Sequence, residues 1–229
     1  MDKFYHSVRL DESLCKGCIN CIKRCPTEAI RVRGGKASIN NKFCIDCGEC
    51  IRVCPHHAKL ATYDKLDVMK KYKYTVALPA PSLYSQFNNL DDVNIVLNAL
   101  LLMGFDDVFD TNWAADLTIM EEGTEFLERI TKAFKGEEAV LPMITSCSPG
   151  WVKYVEHAFP KELDHLSTCK SPHTMFGAVA KSYYAQKINV DPKDIYVVSV
   201  MPCTAKKFEI VRPEMQNDGL PNVDAVITV

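Results

Sequence analysis

An α+β module followed by an α/β lobe, with a mostly parallel sheet and helices on both its faces, is the architecture this sequence predicts. Three observations carry it. Two runs of four cysteines repeat within the first 60 residues. A short strand-like stretch follows each run, and from Tyr74 onward apolar runs alternate with segments of helical periodicity. With 229 residues and 47% apolar content, the chain has room for two domains and a packed core in the larger one.

The first module is read from its cysteines. Cys15, Cys18, Cys21 and Cys25 are followed, after an 18-residue gap, by Cys44, Cys47, Cys50 and Cys54. Pro26 and Pro55 follow the last cysteine of each run. Two-residue gaps let one loop wrap a cube of iron and sulfur with three thiolates, while backbone N–H groups point at the sulfurs. The fourth cysteine lies too far round the next turn to close its own cluster, and in this spacing it ligates the other one. The reading is two [4Fe–4S] clusters, one on Cys15, Cys18, Cys21 and Cys54, the second on Cys44, Cys47, Cys50 and Cys25. They sit in a small two-fold, ferredoxin-like module over residues 1–63, with strands at Ala29–Val32 and Lys59–Thr62. Structural zinc has no use for a third cysteine at the same step. Disulfides need an oxidising compartment, and Met1–Leu10 has no apolar stretch of a secretory signal.

Composition narrows the function further. Eleven cysteines without a leader point to a reducing cytoplasm, and no run of 18 apolar residues predicts a membrane span. Residues 1–60 hold 11 Lys and Arg against 6 Asp and Glu, whereas the remainder holds 16 against 23. Eight thiolates and two oxidised cluster cores reduce the basic excess to about +1, so nucleic-acid binding is not expected. The modest basic patches that survive read first as plain solvated faces, with docking of an acidic redox protein as the alternative.

A charged connector at 64–73 leads into the lobe at 74–229. TVAL (75–78) reads as a strand, Val93–Met103 as a helix and 106–110 as a second strand. Leu117–Phe134 reads as a long helix with acidic early turns that suit its dipole. VLPMI, in the 139–144 region, reads as a third strand. Pro149 fits the first turn of the next helix, and Ser171–Lys187 is another. Ile195–Val200 and Val223–Val229 complete a five-strand expectation. The apolar run VDAVITV has no cap or polar tail after it, which suggests a polypeptide cut short or one half of a split protein.

Two segments of this lobe carry specific chemistry: TSCSPGW (145–151) and MPCTAKKFE (201–209). Each puts a cysteine in the loop after a predicted strand, where open α/β sheets hold ligands. Together with PAPS (79–82), DTNWAADLTIMEE and LSTCKSP, they resemble the catalytic domain of iron-only, or [FeFe], hydrogenases over essentially all of 74–229. The resemblance implies an H-cluster, a [4Fe–4S] cubane joined through a cysteine to a di-iron unit bearing CO and CN⁻, and reversible reduction of protons to H₂. It puts Cys203 among the cubane ligands and Lys206 as a charge-assisted donor to a cyanide. Met201 becomes a wall of that pocket, and Ala80, Pro81 and Ser82 become contacts to the di-iron ligands. The implied proton route runs through Cys147, Glu122, Ser167 and Glu125.

Three departures qualify this. The family commonly reads TSCCP, and here Ser148 holds the ligand place; either it binds weakly through oxygen, or Cys147 slides over to iron, or that vertex is open. We place Cys147 in the relay. His173 stands where the family often has Gln, still able to hydrogen-bond a cyanide. The family's C-terminal CxxxC pair is absent from the sequence, so a second chain or a C-terminal half would have to complete the site, and the chain by itself is expected to be inactive. The rival readings are a non-catalytic electron-transfer or redox-sensing subunit, which Ser148 favours, and an iron–sulfur assembly factor. Cys169, Trp151 and Phe208 read as core, Lys206 and Lys207 without the resemblance as a solvated pair, and the histidines at 6, 56, 57, 157 and 165 carry no role.

Overall fold

A computed structural model describes residues 6–87 and 92–228, which group into two compact units. The first contains the chain up to Tyr63 together with 148–163 and 203–209. Val8–Leu10 pairs antiparallel with Lys59–Ala61, and Ile30–Arg33 with Lys36–Ile39. A short helix follows each cysteine loop, Asn20–Arg24 after the first and Glu49–Arg52 after the second. The buried core of this unit is small: Cys15, Cys21, Ile30, Ala37 and Ala58, with Cys25, Cys50 and Cys54 packed against it.

A linear division of the chain at 63 and 74 misses two later segments of this unit, and the reason is polar. Asp46, fully buried, accepts from Lys153 Nζ at 2.5 Å and from the Ser7 N–H at 3.0 Å. Lys153 lies on the helix Pro149–Ala158, and its ammonium also stands 3.9 Å over the Phe208 ring of Ala205–Glu209. Thr204 Oγ1 donates to the Asp46 carbonyl at 2.7 Å. Burial pushes the Asp46 carboxyl up, but bonds from His6 and Lys153 outweigh it and hold the group below its ordinary value.

The second unit is built on a four-stranded sheet ordered Ala225–Thr228, Ile195–Met201, Tyr74–Pro79, Asp107–Val108, all parallel. Val76 pairs with Val197, and Val226 with Ser199. Every residue of Ile195–Met201 is buried, as expected of a β-branched strand covered on both faces. Alternate residues divide between two cores. Val76, Leu78 and Val197 face one containing Ala114 of Thr111–Phe134 and Phe176 of Pro172–Val179. Ala77, Val198 and Val200 face the other, with Leu100 of Asn94–Leu102 and Met69 of the 3₁₀ turn Leu66–Lys71.

Three elements differ from the sequence reading. The third strand in the 139–144 region is absent; Pro142 removes a donor from that run, and only a single parallel bridge, Ile144 to Leu166, survives. The long helix starts at Thr111 rather than Leu117, because Asp110 caps it by accepting from the Asn112 N–H at 2.8 Å. Glu121 and Glu122 therefore stand in its middle, not near its positive end. Ser171–Lys187 is helical but interrupted by a π-helical turn at Ala180–Tyr184. Trp151, expected in the core, is 38% exposed, and Lys207, expected in solvent, is buried. Val229, the last residue of the expected fifth strand, lies outside the described residues.

Two predictions follow from packing. Lys153→Met leaves Asp46 buried without its principal counter-charge and should cost about 3 kcal/mol in urea denaturation of the first unit. At Gly177 an added Cβ would sit 2.3 Å from the Asn222 carbonyl oxygen. Gly177→Ala should therefore destabilise the second unit by about 1–3 kcal/mol, although alanine ordinarily favours a helix.

Candidate metal centres

The eight cysteines of the repeat fall into two cavities of the first unit. One is lined by Cys25, Cys44, Cys47 and Cys50. The other is lined by Cys15, Cys18, Cys21 and Cys54. Each cavity thus gathers three thiols from one run and the fourth from the other, the same groups that the crossed reading pairs. All eight are free thiols rather than disulfides.

The loops also aim amides at sulfur. The Ala29 N–H donates to Cys25 Sγ at 3.2 Å, Ala58 N–H to Cys54 Sγ at 3.3 Å and Ala37 N–H to Cys15 Sγ at 3.4 Å. Such bonds favour thiolate. Backbone donors from Ala37 and Gly17 hold Cys15 below the ordinary thiol range. Burial raises Cys54, yet the donors from Lys59, His56 and Ala58 leave it lowered on balance. Elsewhere burial wins: Cys44 is pushed up to about 11, with Asp46 adding to the effect, and Cys50 to about 12. On binding a positively charged core such thiols release their protons to solvent and bind as thiolates, which makes this donor set fit iron–sulfur cubanes. The first unit has a third feature of this kind. At Gly48, where φ is +78°, an added Cβ would stand 2.6 Å from Thr204 Oγ1, so the second cysteine loop closely approaches the segment carrying Cys203. The Cys203 charge is felt at Cys47, behind the larger effect of burial, which raises the Cys47 thiol.

Lys206, in this same unit, pairs with Glu209 Oε2 at 2.7 Å. Ser148 has extended backbone and opens the helix at Pro149.

The remaining candidates lie in the second unit. Ala80 and Met201 are buried, Ser82 half-buried and Pro81 exposed; Met201 ends its strand, Ala80 follows the neighbouring strand, and Pro81 and Ser82 open the short helix Pro81–Tyr84. His173 is fully buried and its Nδ1 stands 2.9 Å from Ser199 Oγ.

Glu125 and Ser167 of the implied proton route are joined, Ser167 Oγ donating to Glu125 Oε2 at 2.8 Å. Glu122 lies one turn earlier on the same helix, with a buried Oε1 that no hydrogen-bond partner meets. Cys147 is exposed. Its neighbour Ser146 donates to the Cys169 carbonyl at 3.0 Å, and Cys169 Sγ lies 3.8 Å from Glu125 Oε2. Burial raises the Cys169 thiol, with Glu125 and Glu122 adding to the rise, so this cysteine sits beside the carboxylates rather than merely filling the core.

Arg129 is the residue that sequence reading missed here. It donates to Glu125 Oε1 at 2.6 Å and to the carbonyls of Asp164 and Leu166 at 2.9 and 3.0 Å. Its signal was the Glu-to-Arg spacing of four on one helix. Burial raises Glu125, but Ser167, Arg129 and the Thr168 N–H together hold it below the ordinary carboxyl range.

Comparison with known proteins follows this geometry. A family model described as the iron-only hydrogenase large subunit, C-terminal domain, matches residues 73–229, and a 4Fe-4S dicluster domain model matches 7–55. The periplasmic [Fe] hydrogenase large subunit of Nitratidesulfovibrio vulgaris is 42% identical over 238 residues, covering 97% of this chain and 56% of that protein. The NADP-reducing hydrogenase subunit HndD of Solidesulfovibrio fructosivorans is 40% identical, covering 96% of this chain and 35% of that one. A cytosolic Fe-S cluster assembly factor, narfl of Xenopus tropicalis, is 35% identical over 74% of this chain and 37% of its own length. A variant of apo [FeFe]-hydrogenase HydA1 from Chlamydomonas reinhardtii aligns with a TM-score of 0.64 at 38% identity, over 73% of this chain and 43% of that one. The chain thus spans between 35% and 56% of the length of these three curated relatives.

Because Glu125 is held low, its contribution to stability is present above about pH 4.3, the free glutamate value, and is lost as pH falls through the folded value. Arg129→Met should cost about 1–3 kcal/mol at pH 7. Its deficit relative to the parent should shrink below about pH 4.3 in denaturation followed across the acid range.

Proposed function

Since the chain belongs to the iron-only hydrogenase large-subunit family, we propose that it is a hydrogenase polypeptide taking part in the interconversion of protons and H₂. It carries a 4Fe-4S dicluster domain ahead of its family domain. No helix among the described residues is long and apolar enough to cross a membrane. The observation that carries the proposal is the presence in one chain of three features: two cavities of four thiols, the Cys203 loop packed on Gly48 beside Cys47, and a carboxylate network in the family domain.

In this reading the eight thiols hold two [4Fe–4S] clusters that pass electrons between ferredoxin or a similar redox protein and the iron held at Cys203. The reaction needs two protons and two electrons for each H₂. An H-cluster would supply the bond chemistry, and the protein supplies binding, orientation and proton delivery. Cys203 anchors the cubane, with further ligands from sequence beyond those present here or from a second chain. Lys206 provides a cationic donor near its rim, while Ala80, Pro81, Ser82, Met201 and His173 shape the di-iron side.

Proton movement falls to Glu125, Ser167, Glu122 and Cys147. The Ser167 hydroxyl already bonds Glu125, so a proton can pass along that contact without a change of fold. The Glu122 oxygen, buried without a partner, is a station that a bound water completes. A chain with eleven cysteines suits a reducing cytoplasm. One relative's name places it in the periplasm, so cell fractionation is the check on location.

A second reading has its own support. Ser148 occupies a ligand place where the family commonly has cysteine, and an assembly factor is among the relatives. A non-catalytic electron-transfer, redox-sensing or cluster-assembly role would keep the two front clusters and no di-iron unit.

The test is anaerobic expression of the chain with the hydrogenase maturation enzymes, followed by iron analysis and infrared spectroscopy. Our reading expects about eight irons from the front module, and further iron with CO and CN⁻ bands when the site is completed by the missing ligands. Cys18→Ala should lose about four irons. Eight irons, no such bands and no H₂ evolution even with the ligands supplied would select the non-catalytic reading. Well under eight irons in the parent would reject the dicluster assignment itself.

A further inference from the structure

The internal repeat allows each half of the first unit to be compared with the other residue by residue. Cys25-Pro26-Thr27-Glu28-Ala29-Ile30 corresponds to Cys54-Pro55-His56-His57-Ala58-Lys59. The correspondence holds in space. Ala29 and Ala58 are both 1% exposed, and each donates its N–H to the sulfur of the cysteine four residues earlier. The next residue is 2% exposed in both halves. Ile30 lines the cavity of Cys25, Cys44, Cys47 and Cys50, whereas Lys59 lines that of Cys15, Cys18, Cys21 and Cys54.

Equivalent positions thus carry an isobutyl-sized apolar side chain in one site and an ammonium in the other. Lys59 Nζ is buried and meets no hydrogen-bond partner among the described residues. A lysine enclosed without an anion is costly. The groups beside it are thiols: its charge lowers the pKa of Cys21 and Cys15 in its own cavity and, across the repeat, of Cys50, at Cys21 and Cys50 against the larger effect of burial. Four thiolates on an oxidised cubane core leave a net charge of about −2, which falls to about −3 on one-electron reduction. A fixed positive charge therefore favours the reduced form.

We propose that Lys59 makes the two clusters inequivalent, raising the reduction potential of the one held by Cys15, Cys18, Cys21 and Cys54 above that of its repeat partner. Lys59 is a positioning charge and touches no substrate. Each reduction adds one electron to one cluster, supplied in the experiment by dithionite, and no bond or proton at Lys59 changes. The inference rests on the two-cluster reading, and iron content separates the two failures: a parent chain holding well under eight irons refutes that reading rather than the role of Lys59.

The test is an EPR-monitored redox titration of the anaerobically loaded full chain and of Lys59→Ile, Lys59→Gln and Lys59→Arg. Lys59→Ile copies the other half of the repeat. It should make one cluster at least about tenfold harder to reduce, about 59 mV for one electron, and shift the other less. The affected wave is identified as the one missing from Cys18→Ala. Lys59→Gln should behave like Lys59→Ile, and Lys59→Arg like the parent. Loss of four irons from both neutral variants, with eight kept by Lys59→Arg, would equally support a required cation at this cluster. Unmoved potentials in the neutral variants, equal shifts of both clusters, or the same change in Lys59→Arg as in Lys59→Ile would overturn the proposal.

Discussion

Gathering eight thiols into a small module is the constraint from which the rest of this structure follows. The apolar cluster around the cysteines is Ile30, Ala37 and Ala58 with Leu10, Ile22, Val32 and Ile39 half-buried beside it, and five cysteines complete it. A cluster this small contributes little against chain entropy. Metal binding supplies the difference, because ligands brought together only in the folded state turn binding free energy into folding free energy. The short strand pairs and single-turn helices are then scaffolding that fixes where the sulfurs point. Backbone donors at Ala29, Ala37 and Ala58 are set by that scaffolding and favour thiolate at the sulfurs they reach.

The second unit solves a different problem. Its strands are buried on both faces and its stability is ordinary packing, so its loops are free to carry chemistry. Parallel strands Tyr74–Pro79 and Ile195–Met201 end side by side, which brings the starts of the Ala80–Ser82 and Pro202–Cys203 segments to the same end of the sheet. The capped helix from Thr111 then sets Glu122 and Glu125 on one face. Arg129, one turn further, locks Glu125 to the carbonyls of 164 and 166.

How far this was legible follows from what sequence encodes locally. The cysteine spacing announced the two groups of four thiols that the cavities gather, because loop geometry leaves few alternatives, and β-branched runs announced the central strands. Elements near Pro142 and Asp110 were misplaced, since one proline or one capping carboxylate moves a boundary that periodicity draws only loosely. Long-range polar pairs were invisible. Nothing near Lys153 in the chain announces Asp46, and a lone Lys59 reads as a surface residue until burial is seen. The repeat held that clue all along, since Ile30 stands where its counterpart is charged. Trp151 went the other way, a large apolar residue assigned to the core that lies half in solvent.

The central claim is that bound iron and sulfur constitute the interior of the first unit. Hydrogen–deuterium exchange of the anaerobically loaded chain, compared with the same chain stripped of iron by oxidation and chelation, tests it most directly. The account predicts that amides of residues 30–39 and 58–61 lose protection on stripping, while those of 74–79 and 195–201 keep theirs. Protection of the first set that survives complete removal of iron would contradict it.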